Sequence, residues 1–125
     1  MKDFEIHLSH KAGELARVAR ALGRGGVNLK AVAGMGIGNQ GLLHLVADDV
    51  EAARKALQEN HFQFEETEVV SVLLENRAGE LEDVAAKLAN ANINLKAVYL
   101  LGLDGDLVEL ALVTDDPKKA KKLLE

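Results

Sequence analysis

From Asp3 to Ser9 apolar and polar side chains alternate. Phe4, Ile6 and Leu8 fall on one face, and Asp3, Glu5, His7 and Ser9 on the other. A period of two is that of a half-buried strand. Gly13 interrupts it. From Glu14 the period lengthens: Leu15, Val18, Ala19 and Leu22 recur at helical spacing, with Glu14, Arg17 and Arg20 outward. Gly23, Gly25 and Gly26 end that helix. Residues 27–37 then read as a strand, 38–41 as a turn and 42–47 as a third strand. Asp49 is placed to cap a second helix over residues 50–60, and residues 62–66 return as a fourth strand.

The same grammar then runs again. Ala12-Gly13-Glu14-Leu15 recurs as Ala78-Gly79-Glu80-Leu81, and Asn28-Leu29-Lys30-Ala31-Val32 as Asn94-Leu95-Lys96-Ala97-Val98. The offset is constant, since 79 − 13 and 94 − 28 both equal 66. The second copy reads as a strand over 69–75, a helix over 79–91 and a hairpin of 93–103 with 107–114. That hairpin turns about Asp104-Gly105-Asp106. Pro117 then stands in the first turn of a last helix, where a missing N–H costs nothing. A fourth strand is absent. The pattern predicts an α+β protein of two tandem ferredoxin-like βαββαβ units, residues 1–66 and 67–125. Each is an antiparallel sheet with its helices on one face, and the second lacks its last strand.

In that topology strands four and two lie at the sheet edges. The first strand of the second copy, with "VVSVLL" from Val69 to Leu74, therefore keeps one neighbour and bares the other edge. The outer face of that copy, Val69, Leu73, Ala111 and Val113, is apolar and needs covering. Both features predict a homodimer or a higher even oligomer.

Composition narrows the function classes. Aromatic residues are 3% of a chain that is 48% hydrophobic, so the core is aliphatic. The net charge is −5, and Lys118, Lys119, Lys121 and Lys122 sit where they complement a helix C-terminus. A nucleic-acid partner is not expected. Absence of cysteine excludes disulfides and thiol chemistry. No apolar run reaches membrane-spanning length and none opens the chain as a leader would, so a cytoplasmic protein is expected.

The residues around the repeat carry a resemblance. Asn76-Arg77-Ala78-Gly79-Glu80-Leu81 with Val84, Leu88 and Ile93-Asn94-Leu95, and in the first copy Gly13, Leu15, Val18, Leu22 and Val27-Asn28-Leu29, resemble the ACT domain signature. The likeness covers nearly the whole chain as two domains. Ala12 and Ala78 stand where many members have proline. The resemblance implies a regulatory module that binds a small ligand, most often an amino acid. The ligand would sit at an interface between ACT domains, near the first loop and the start of the second strand, and Asn76 and Asn94 fall on positions that hold it in some members.

Chemistry is consistent with that role. A helix N-terminus offers free N–H groups to a carboxylate, glycine lets a ligand approach the backbone, and Asn both donates and accepts. The candidate ligand-binding residues are His10, Ala12, Gly13 and Asn28 in the first copy, and Asn76, Ala78, Gly79 and Asn94 in the second. Turn formation explains the glycines equally well, and capping or turn fixing explains the asparagines. Gly34-Met35-Gly36-Ile37-Gly38 precedes no helix and so makes a poor phosphate loop. His7 and His44 would share the face away from the helices, but two histidines without a third ligand do not make a metal site. No nucleophile stands beside a base, so no enzyme, catalytic residue or cofactor is expected. The partners expected are a small amino acid and a regulated enzyme or regulator. A purely structural protein-interaction module is the alternative.

Overall fold

The computed structural model describes residues 1–125. The first unit contains β1 (Lys2–Ser9), α1 (Glu14–Arg24), β2 (Leu29–Ile37), β3 (Gln40–Ala47), α2 (Val50–Glu59) and β4 (Gln63–Glu68). The second contains β5 (Val70–Glu75), α3 (Glu80–Asn90), β6 (Leu95–Asp104), β7 (Leu107–Thr114) and α4 (Pro117–Leu124). The chain divides into two compact units, Met1–Thr67 and Glu68–Glu125. The sheet orders are β2-β3-β1-β4 and β5-β7-β6. Strands two and four are thus the edges of the first sheet, and β5 is an edge of the second.

Each unit closes over an aliphatic core. Phe4, Ile6, Val18, Leu22, Leu45 and Leu57 are at its centre in the first unit. Val70, Val84, Leu88, Ile93, Leu112 and Ala120 fill the second. β3 joins β1 and β2 through antiparallel registers such as Ile6↔Leu43 and Val32↔Leu45. β7 joins β5 and β6 in the same way, through Val72↔Leu110 and Val98↔Leu112. Both hairpins use a two-residue loop opened by a glycine at φ 60, Gly38 and Gly105, the left-handed conformation such loops require.

Two sequence readings need correction. Leu15 and Ala19 share the helical period of α1 but are exposed, Leu15 by 61%, while Val18, Ala21 and Leu22 are buried. They flank the helix on the side of the edge strand β2, where no further helix covers them. Asp3 alternates as an outward residue yet is fully buried, bonded to the buried His44 of the neighbouring strand β3. In the outer-face set of the second unit, Val69, Ala111 and Val113 are buried while Leu73 is 61% exposed.

Side chains tie the helices to their sheets. Arg54 of α2 grips Glu66 of β4 through both carboxylate oxygens, with Nη2 2.9 Å from Oε2. Arg17 of α1 lies over the Phe62 ring, 4.3 Å from its centroid. Lys119 of α4 donates to the Ala91 carbonyl at the end of α3, at 2.7 Å.

The Arg54 pair sets an acid dependence. Its hydrogen bond holds the Glu66 carboxyl below the ordinary value of 4.5. A depressed folded pKa stabilises the fold above the unfolded value, and that stabilisation is lost as pH falls through the folded pKa. Glu66→Gln is expected to lower unfolding stability near neutral pH by about 0.5–1 kcal/mol, as the pair is partly exposed. The gap to wild type should close as the pH falls below 4.5 and through the depressed Glu66 value. Urea unfolding across that range tests this, and a pH-independent gap would refute it.

Candidate ligand-binding site

The two strand-to-helix loops have the same construction. In the first, His10 N–H donates to the Asn39 carbonyl and Lys11 N–H to the Ser9 carbonyl, at 3.0 and 3.1 Å. In the second, Asn76 N–H donates to Asp106 and Arg77 N–H to Glu75, at 2.8 and 2.9 Å. Each loop ends on a left-handed glycine, Gly13 at φ 94 and Gly79 at φ 91, with no side chain capping the helix that follows. No side chain therefore occupies the first-turn N–H groups, although Glu80 N–H donates to the Arg77 carbonyl at 3.5 Å. Ala12 and Ala78 sit exposed beside these glycines.

Asn28 and Asn94 lie at the far ends of the same helices, opposite the glycines. Eleven helical residues separate the ends of α1 and of α3, a span of about 16 Å. Within one unit a small molecule cannot touch both Gly13 and Asn28, or both Gly79 and Asn94. Each Asn has a structural duty. Asn28 N–H donates to Asp48 Oδ1 and its carbonyl accepts from Asp48 N–H, at 3.2 and 3.0 Å. Asn94 and Asp115 repeat this at 3.1 and 3.1 Å. These clasps use only the Asn backbone, and both carboxamides stay exposed.

Asp48 and Asp115 are the residues the sequence reading missed. The signal was the Asp-Asp pair after the third strand of each copy, Asp48-Asp49 and Asp115-Asp116. The first aspartate clasps the start of the second strand. The second caps the helix, Asp49 accepting from Ala52 N–H and Asp116 from Lys119 N–H.

A groove of about 600 Å³ opens between α1 and the edge strand β2. Leu8, Leu15, Ala19, Leu29, Val32 and Leu43 line it, and His10, Lys11 and Glu14 stand at its polar end. The exposed Leu15 and Ala19 thus belong to a concave surface. Arg17 donates to Glu14 at 3.0 Å and, chiefly through that bond, holds its carboxyl below the ordinary range. Of the glycines in the 34–38 stretch, Gly34 and Gly36 line the groove and Gly38 turns the β2–β3 hairpin. A Cβ on Gly36 would collide with the His10 ring, and one on Gly34 would come within 3.2 Å of Leu43.

On the outer face of the same sheet, His44 Nδ1 lies 3.0 Å from Asp3 Oδ2, both side chains buried. The Asp3 hydrogen bond raises the His44 pKa above its ordinary value against the opposing effect of burial.

The model of the ACT domain pair family matches residues 1–125, the whole chain. The chain belongs to this family. Its fold is similar to that of protein BT0572 from Bacteroides thetaiotaomicron, with a TM-score of 0.85 and 26% identity over 98% of this chain and 85% of that one. It is also similar to the ligand-free regulatory subunit of aspartate kinase from Thermus thermophilus, at TM-score 0.66 and 11% identity, covering 98% and 89%. E. coli aspartokinase III, solved in complex with lysine and aspartate, shares the fold at TM-score 0.53 and 17% identity, and this chain spans 30% of it. No curated protein sequence matches the chain. The ACT pair is a regulatory-type fold, and no helix in it is long and apolar enough to cross a membrane.

Two glycines of this ACT pair separate backbone need from space. Gly79→Ala meets no atom within 4 Å but must hold φ 91. It should cost about 1–2 kcal/mol in urea unfolding. Gly36→Ala keeps an ordinary strand backbone and meets the movable His10 ring. It should leave stability within about 0.5 kcal/mol while shifting the His10 ring resonances. Equal destabilisation by both would contradict this division.

Proposed function

We propose that this ACT pair is a cytoplasmic regulatory module and not an enzyme. It binds a free amino acid at interfaces between ACT units and acts through its oligomer, or through a regulated enzyme or regulator. The observation that carries this reading is the groove beside α1. It is apolar along its length and has His10, Lys11 and Glu14 at one end. That is the layout of a small-molecule site, with apolar walls and a few polar groups to fix orientation. Its volume exceeds what one amino acid fills, which suits a site completed by a second unit.

The ligand carboxylate is received by the uncapped N–H groups behind Gly13 or Gly79. The exposed carboxamides of Asn28 and Asn94 come from the opposite end of a neighbouring copy of the fold, and the first-loop residues His10 or Asn76 complete the set. E. coli aspartokinase III, of which this chain spans 30%, is solved in complex with lysine and aspartate, which puts amino acids first among the ligands to test.

A thermal-shift screen of the full chain against the twenty amino acids is expected to give a concentration-dependent rise for at least one. Flat curves for all twenty would favour the interaction-module alternative. Asn94→Ala removes a carboxamide but not the backbone clasp to Asp115, so the fold should persist. Affinity should fall about ten- to hundredfold, for about 1.5–3 kcal/mol of lost hydrogen bonding to a charged ligand. Unchanged affinity would make Asn94 purely structural.

Assembly is the second half of the proposal. β5 has only β7 beside it in its sheet, which leaves a row of unpaired N–H and C=O groups. A groove of about 390 Å³ follows that edge, lined by Val72, Leu74, Val84, Lys87 and Leu124. It lies where a fourth strand would run. The β5 edges of two subunits pair across a two-fold axis, giving a homodimer or a higher even oligomer. Light scattering is expected to report such a species, and a monomer over a wide concentration range would overturn it. A designed strand appended after Glu125 should weaken the dimer by capping β5.

A further inference from the structure

The geometry points to a divalent-metal site on the outer face of the first sheet, formed by Glu5, His7 and Glu65. Glu5 and His7 are two residues apart on β1 and so share a face. β4 lies beside β1 and brings Glu65 to them. One ligand atom from each of the three lies within 4.8 Å of the others. His7 Nε2 is 3.2 Å from Glu5 Oε2. One imidazole nitrogen and two carboxylate oxygens form a donor set for a first-row cation such as Zn²⁺ or Co²⁺, with water completing the shell.

The surroundings favour a cation there. Glu66, next in sequence to Glu65, is taken up by Arg54, whereas Glu65 has no such ion pair. Two carboxylates therefore converge beside the His7 imidazole, and a dication relieves their repulsion. Glu5 is also supported from behind. His44 Nε2 stands 3.6 Å from Glu5 Oε1, and His44 Nδ1 is bonded to buried Asp3 at 3.0 Å. His44 is thus fixed by Asp3 and faces Glu5 at charge-contact distance, behind the ligand set. His7 and His44 therefore need not bind the ion as a pair. The site is separate from the groove beside α1 and does not depend on the amino-acid reading.

The test uses the full chain after chelator treatment and dialysis. Zn²⁺ titration by calorimetry is expected to show one equivalent bound with micromolar affinity. Co²⁺ should give visible absorption bands, and Zn²⁺ should shift the His7 ring resonances. Glu65→Gln changes an exposed strand residue and should leave the metal-free melting temperature unaltered while weakening Zn²⁺ about tenfold or more. His7→Gln should do the same. Absence of binding below millimolar Zn²⁺ overturns the site. So does binding that both variants leave intact, which would assign the ion to His10, His61 or another group.

Discussion

The left-handed turn at Gly13 and Gly79 is the constraint on which each unit depends. A strand must give way within a few residues to a helix that folds back over the same sheet. A φ near +90 achieves this, and a side chain there costs about 1–2 kcal/mol. Because a glycine occupies the cap position, no side-chain oxygen is available to the first helical N–H groups. The turn that makes the fold therefore also leaves the helix end without a side-chain cap. On the proposed reading one backbone conformation would serve both the turn and the ligand.

The opposite end of each helix follows a different logic. There the chain must enter the second strand beside the end of the third. The reciprocal bonds of Asn28 with Asp48, and of Asn94 with Asp115, fix that register. Any residue but proline could supply the Asn side of the clasp, since only its backbone takes part. The presence of Asn in both copies is thus not explained by the clasp, and a free carboxamide at both positions is the unexplained remainder that a ligand would use.

Periodicity made the fold legible. Alternation in β1 placed Phe4 and Ile6 inside, and the 66-residue offset carried the same reading to the second unit and exposed the missing strand. Periodicity failed where burial depends on what lies beyond an element. Leu15 and Ala19 continue the apolar stripe of α1, but the stripe is wider than the surface that covers it, and its flank became the wall of a groove. Pairings between distant residues left no periodic trace. Arg54 with Glu66 and Asp3 with His44 are contacts of side chains on different elements, and a single sequence does not mark its partners. Of the candidate site, the loops were legible because they recur; the separation of Gly13 from Asn28 needed the helix between them.

Duplication preserved the scaffold and let the surfaces diverge. His10 corresponds to Asn76, and Gly34 to Leu100, by the same 66-residue offset. In the first unit Gly36 leaves room for the His10 ring, and Gly34 keeps the floor of the groove low. In the second, Gly102 has nothing within 4 Å of its missing Cβ, and Leu100 is 51% exposed on the corresponding strand. The open apolar space of the second unit lies instead along β5, where the fourth strand is missing. One topology thus leaves a groove on a different edge of each sheet: beside strand two in the first unit, where small residues clear the floor, and beside strand one in the three-stranded sheet of the second. On the proposed reading the first admits a small molecule and the second another strand, so that binding and assembly would draw on different copies of the same unit.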